Sequence, residues 1–352
     1  MLNNTTLSAF SQQDFSQWFA RDIFFAVKPV IFGLILGIGV LGIIGNILTI
    51  LVYAKMGYSE TIHLSYVSLA VSDLGNILFI MWSIICYTPI IHLLFSQFRL
   101  TTDPDMFASF TGAWPSHAFS KTTGLITAWI SIERCLRVVF PVKVKLMITR
   151  SVTKFVLISL FTLGCAPIAL VLYGCTFEWR LDPLRNETRL FMFEGNFKLL
   201  NPLYQYAFTL YGAVYPVFSW ITVTVSTTFL IVTLKKSAKW RKAQINGQTN
   251  ETPERKNGSK RNVISLRTSH IIKTNIVIAG VFILCSLIYS IILVLASFTN
   301  EFFFNGKLRY LFYLYAFIAF LLSEINSSVN IIVFAVMGVR FRTTLMQILL
   351  RK

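Results

Sequence analysis

An all-α membrane protein, a bundle of seven transmembrane helices with a short amphipathic eighth helix, is the fold class this sequence predicts. Three observations predict it. Of 352 residues, 55% are hydrophobic and only 13% charged, whereas a soluble domain carries roughly a quarter of its residues as charges. Seven stretches are apolar enough to cross a bilayer, which takes about 20 residues per helix. The net charge of +17 sits on basic residues between those stretches, a pattern of membrane topology rather than of a nucleic-acid-binding face.

The elements follow in chain order. Residues 1–28 are polar and mixed, with Asp14, Arg21 and Asp22. They lack the apolar core of a cleavable signal peptide and read as a segment outside the membrane. Spans are predicted over 29–54, 63–90, 116–140, 154–175, 205–234, 272–298 and 308–336, within one membrane domain of 29–338. The third is the least apolar and falls below a strict hydropathy window. The stretch of about 235–271 is basic, rich in Asn, Gln, Thr and Lys, and contains Pro253 and Gly258; it reads as a flexible loop. Over 339–352, Val339, Phe341, Leu345, Ile348 and Leu349 alternate with Arg340, Arg342 and Gln347, the pattern of a helix lying on a membrane surface.

Orientation follows from Lys and Arg. With the N-terminus outside, the inner segments hold 22 of the 32 basic residues, as the positive-inside rule requires. This predicts a multi-pass plasma-membrane protein with a cytoplasmic C-terminus. The N-x-Thr sequons at Asn3, Asn4 and Asn186 then lie outside and are candidate glycosylation sites. Those at Asn250 and Asn257 lie inside.

Several chemistries are disfavoured. The five cysteines form no C-x-x-C pair, so no zinc site is predicted. The four histidines pair with no acids at ligand spacing, so an enzyme is not predicted. A transporter or ligand-gated channel is the alternative function. It calls for inverted repeats and broken midplane helices, and neither is visible.

Polar residues inside the spans carry the functional signal, because ionisable groups in a bilayer are costly and rarely idle. Gly45-Asn46 interrupts the first span, and Asp73 sits in mid-membrane in the second. Asn326 and Asn330 share a face of the seventh, four residues apart. Glu133-Arg134-Cys135 closes the third span, followed by Leu136, Val138, Pro141, Lys143, Val144 and Lys145. These positions resemble the Gly-Asn, Leu-Ala-x-x-Asp, Asn-Pro-x-x-Tyr and Asp/Glu-Arg-Tyr motifs of rhodopsin-like (class A) G-protein-coupled receptors. The resemblance runs from about residue 29 to the end. The loop after Arg134 looks like that of divergent invertebrate chemosensory or FMRFamide-type neuropeptide receptors.

The resemblance implies a protein that turns binding of an extracellular small molecule or short peptide into activation of a heterotrimeric G protein. It implies that Arg134, held at rest by Glu133, is the coupling residue, with Pro141 in the adjoining loop. It also implies that Asn46, Asp73, Thr123, Asn326 and Asn330 form a polar switch network holding a sodium ion or a water cluster. The alternative for Asp73 is a hydrogen bond to Asn46 or Asn330 that only ties helices together. Pro216, Phe282 and Cys285 stand where the family's fifth and sixth spans bend.

The chain also departs from the family. The sixth-span Cys-Trp-x-Pro reads Cys285-Ser286-Leu287-Ile288, and the seventh-span motif reads Asn330-Ile331-Ile332-Val333-Phe334. The fifth span has Thr224 where a tyrosine is usual. The family's disulfide lacks its cysteine near Ser109. Cys86 and Cys175 either form a substitute or remain as thiols. The ligand cavity is expected between the third, fifth, sixth and seventh spans, with Ser116, His117, Ser120 and Lys121 on one face. Ser116 replaces an amine-binding aspartate, and Glu324 replaces a retinal-binding lysine, so no retinal cofactor is expected. Lys121 either meets an anionic ligand group or pairs with Glu324. Trp114, beside Pro115, either shapes the cavity rim or belongs to an interfacial aromatic belt.

Overall fold

The computed structural model describes residues 4–57, 60–140, 142–174, 176–182, 187–193, 202–247, 276, 279–295, 299, 301–302, 307–337 and 339–350. The long helices are α1 (Asn4–Met56), α2 (Thr61–Cys86), α5 (Trp114–Val139), α7 (Arg150–Gly174), α9 (Tyr215–Gly247) and α11 (Arg309–Met337), with α10 (Ala279–Leu295) between the last two. Short helices are α3 (Pro89–Gln97), α4 (Pro104–Ala108), α6 (Val144–Met147), α8 (Pro202–Thr209) and α12 (Val339–Leu349). Among the described residues, five helices are long and apolar enough to span a bilayer: 20–56, 61–86, 150–173, 206–240 and 309–336. α5 misses that criterion, as the sequence predicts, and the described part of α10 is too short for it.

α5 is the central post, packed on α2, α7 and α9, while α1 packs on α2 and α11. Close approach depends on small residues, because apolar lipid gives helices no hydrophobic reason to associate. A Cβ at Gly164 of α7 would collide with Thr122 of α5, and one at Gly112 would collide with Ser83 of α2. Phe24, Ile31, Phe32 and Ile35 of α1 bury themselves against Ile80 and Ile84 of α2 and against Phe317 and Phe320 of α11.

Helix ends follow local chemistry. α2 stops at Cys86, not at the expected 90. Pro89 forces Thr88 into extended backbone (φ −79°, ψ 150°) and opens α3 instead. Asp103 caps α4, its carboxylate accepting from the Met106 amide at 3.2 Å. Phe140 leaves helical geometry one residue before Pro141. Two single π-turns, Ser109–Ala113 and Leu210–Val214, lead into α5 and α9.

Three expectations change. α1 begins at Asn4 rather than near 29. Lys28, on its outer half, lies 5.7 and 5.1 Å from the ring centroids of Phe24 and Phe32 and donates to the Tyr87 carbonyl at 3.2 Å. That arrangement carries a charged residue along an apolar face. α9 continues to Gly247, because 235–246 holds no proline and many good helix formers. Only the remainder of the expected loop lies outside the described residues. Finally, an antiparallel hairpin, β1 (Thr176–Asp182) with β2 (Glu187–Phe193), follows α7. The Leu190 amide donates to the Thr101 carbonyl at 2.7 Å, tying the hairpin to the loop before α4. Cys86 is a free thiol, as are Cys135, Cys165 and Cys285; Cys175 lies outside the described residues.

α12 seats Phe341, 2% exposed, against Tyr53 and Phe334. Val339, Met346 and Leu349 stay exposed beside Arg340, consistent with a helix at a membrane surface.

Candidate functional site

Two cavities open toward the hairpin end of the bundle, both between α5, α10 and α11, the outer one closed by α8 and the inner one by α9. The outer one encloses about 650 Å³ of empty space, its mouth included, and is walled by aromatic and aliphatic side chains. Trp114 and His117 of α5 form one wall; Ile292 and Leu293 of α10, and Phe312 and Phe317 of α11, form others. The inner cavity, about 410 Å³ with its mouth included, is the more polar of the two: Ser120, Lys121, Ser219, Ser286, Ser323 and Asn326 line it beside Phe282 and Cys285. Tyr289 lines both. Trp114 is 6% exposed and packs edge-on against Phe208, 5.1 Å between ring centroids, so it is a buried wall rather than a belt residue.

The expected face of α5 divides. His117 lines the outer cavity and Ser120 and Lys121 the inner one, while Ser116 lines neither and donates to the Ala113 carbonyl at 2.7 Å. Lys121 and Glu324 do not form the ion pair that the sequence left open. The Lys121 ammonium lies 4.0 Å from the Tyr289 ring centroid. Glu324 lines neither cavity. It turns toward α1, where a Cβ at Gly39 would collide with its Oε1, and both its oxygens lack a partner among the described residues. The physical reason is rotation about the α11 axis: Ser323 and Asn326 face the cavity, which points Glu324 to the α1–α2 side.

Beneath the inner cavity lies a hydrogen-bonded layer. Ser120 and Ser323 hydroxyls are 3.2 Å apart. The Asn76 amide donates to Ser323 and Ser327 hydroxyls, each at 3.0 Å. Asp73 is fully buried; its Oδ1 accepts from Thr123 at 2.9 Å and its Oδ2 from the Asn330 amide at 2.6 Å. Asn46 donates instead to the carbonyls of Gly42 and Ser327. Asn326 lines the inner cavity and has no bond to Asp73. Both Asp73 oxygens thus face hydrogen donors. In the same layer the Asn76 Oδ1 is buried without a partner among the described residues, so an unsatisfied acceptor oxygen remains in the region where the sodium ion or water cluster is expected.

At the opposite end, Glu133 does not hold Arg134. Its carboxylate, 0% exposed, accepts from Thr61 at 2.6 Å, Ser65 at 3.0 Å and the Arg137 guanidinium at 2.8 Å. Adjacent helical residues point about 100° apart, whereas i and i+4 share a face. Arg134 donates to the Tyr66 hydroxyl from Nε at 2.8 Å and Nη2 at 2.5 Å. Phe334, where the family has tyrosine, packs on Tyr66, 4.8 Å between ring centroids. A tyrosine hydroxyl therefore does reach this region, but from α2. No sequence motif marks Tyr66.

The bend residues also find unforeseen partners. Phe282 is buried with Ala128 and Val223. Cys285 and Pro216 line the inner cavity, and Pro216 follows the π-turn 210–214 by two residues. Ser286, in place of the family's tryptophan, accepts from the indole of Trp220 at 2.6 Å. Trp220 of α9 packs against the Phe282 cluster, so an indole occupies this level of the bundle from the neighbouring helix. Pro141, Asn3 and Asn186 lie outside the described residues, and nothing is described of the Asn4 side chain.

A comparison with curated proteins gives no match. The family model described as 7 transmembrane receptor (rhodopsin family) matches residues 45–330, which include Asn46, Asp73, Arg134 and Asn330. With that match covering most of the chain and the helical bundle agreeing with it, the protein belongs to the rhodopsin family of seven-transmembrane receptors.

Proposed function

We propose that this receptor sits in the plasma membrane with its N-terminus outside and couples a small molecule or short peptide to a heterotrimeric G protein. In this reading the two cavities open outward, and Arg134 faces the cytoplasm. The observation that carries it is a set of polar contacts that leads from the inner cavity into the bundle. Lys121 and Ser120 line the inner cavity, Ser120 meets Ser323, Ser323 meets Asn76, and the Asp73–Asn330 pair lies in the same layer above Arg134. A ligand that rearranges α5 or α11 would disturb these contacts, and only interactions that differ between two states can shift their balance.

The basic third inner loop and α12 complete the cytoplasmic face, and Asn3, Asn4 and Asn186 would carry glycans outside. The loop sequence from Glu133 to Lys145 supports a chemosensory or FMRFamide-type subgroup. Expression in cells, with peptide and small-metabolite pools applied and calcium and cyclic AMP recorded, tests the reading. Terminal epitope tags in intact and permeabilised cells test the orientation. Silence in both readouts with protein at the surface, or an inward N-terminus, would defeat it.

A further inference from the structure

Lys121 is an intramembrane cation without an anion. It is 5% exposed, lines the inner cavity, and has neither a hydrogen bond nor an ion pair among the described residues. Its contact is the Tyr289 ring at 4.0 Å. Tyr289 is 4% exposed, and its own hydroxyl has no partner among those residues. A buried donor without an acceptor costs free energy, and a buried cation without one costs more. The arrangement therefore places an ammonium over the ring of a tyrosine that lines both cavities, and neither the ammonium nor the phenolic O–H has an acceptor among the described residues.

The walls say which acceptor fits. No Asp or Glu lines either cavity, and Lys121 is the sole Lys or Arg among the lining residues. Glu324, the acid that the sequence offered as a partner for Lys121, is turned to Gly39. An amine finds no carboxylate there to neutralise it. A phosphate monoester carries close to two negative charges and would be half neutralised. A carboxylate carries one charge and two acceptor oxygens, matching one ammonium and one hydroxyl. Above this point the outer cavity offers Trp114, Phe208, Ile292, Leu293, Phe312 and Phe317, a surface that gains from burying hydrocarbon.

Resting on the receptor reading above, we propose that the ligand is an amphiphilic monocarboxylic acid, its carboxylate on Lys121 and Tyr289 and its apolar body in the outer cavity. The polar head lies deep and the hydrocarbon lies toward the hairpin end. Ser120 and Ser323 complete the head's surroundings, which places the head against the hydrogen-bonded layer that contains Asn76.

The test uses the purified full chain in lipid nanodiscs. Binding of saturated and aryl-substituted monocarboxylates of increasing chain length is read by thermal stabilisation and by isothermal titration. Matched methyl esters, primary amines and alkyl phosphates serve as comparison probes. The acids should bind, and more tightly as the chain lengthens, with esters and amines at least tenfold weaker. Lys121→Met should weaken acid binding by about 30-fold, the scale of a lost buried charge contact, whereas Lys121→Arg should retain most of it. Esters binding as tightly as acids, alkyl phosphates binding more tightly, or no acid binding at all would overturn the proposal, and the ester comparison needs no variant. G-protein nucleotide exchange is measured separately. Acid binding without exchange removes the signalling role and leaves the ligand class standing. Ligand-free exchange without acid binding does the reverse.

Discussion

The Arg134 guanidinium of α5 donates to the Tyr66 hydroxyl of α2 at 2.8 and 2.5 Å, so the residue expected to meet a partner is tied inward to a neighbouring helix. Hydrogen bonds to charged groups are worth about 1.5–3 kcal/mol. Tyr66→Phe keeps the ring packing with Tyr53 and Phe334 and removes only the acceptor. Ligand-independent G-protein nucleotide exchange should rise by about tenfold at equal surface expression. An unchanged basal rate would mean that this bond does not restrain Arg134.

Glu133 and Arg137 form the ion pair at the same end, with Glu133 fully buried and Arg137 about one-third exposed. Removing one partner of a buried pair leaves an uncompensated charge. Glu133→Ala and Arg137→Ala should each lower thermal stability, and the double variant should lose less than their sum. A coupling of about 1–2 kcal/mol is expected. Additive losses in a double-mutant cycle would show the pair to be energetically idle.

Much of the bundle was legible in the sequence because span length and hydrophobicity are local properties. Asp73, Thr123 and Asn330 were legible too, since each sits at a motif position and they do meet. What was hidden depends on helix rotation and on partners far apart in sequence. Tyr66 with Arg134, Trp220 with Ser286, and Lys121 over Tyr289 are each set by which face two helices turn to one another. The turn of Glu324 away from Lys121 has the same origin. The extension of α1 to Asn4 was missed because residues 4–19 mix Leu7, Phe10, Phe15, Trp18 and Phe19 with too many polar residues to read as a membrane span, although they contain no proline or glycine.

Asp73 bridges Thr123 and Asn330 with both oxygens occupied by donors. Asp73→Ala should cost about 1–3 kcal/mol, since the half-buried Asn330 amide loses its acceptor and Thr123 keeps only Ser72. A cation at Asp73 would have to compete with both of these donors. Replacing sodium chloride by choline chloride at constant ionic strength should leave the melting temperature of the native chain unchanged, as read by a thiol-reactive unfolding dye. A sodium-specific rise that Asp73→Asn abolishes would show that Asn330 can turn to admit an ion.

Gly112 and Gly37 provide a matched pair for the packing argument. A Cβ at Gly112 would collide with Ser83 Oγ and lie 3.0 Å from both the Phe79 carbonyl and the Ser83 amide, so backbone as well as side chain must yield. Nothing lies within 4 Å of a Cβ at Gly37. Overpacking of this kind costs about 1–3 kcal/mol, and Gly112 sits in the π-turn that delivers Trp114 to the outer cavity. Gly112→Ala should therefore lower both surface expression and thermal stability. Gly37→Ala should leave both unchanged or slightly improved, since alanine favours the helix by about 1 kcal/mol over glycine. Equal behaviour of the two variants would show that α2 does not approach the π-turn as closely as these distances require.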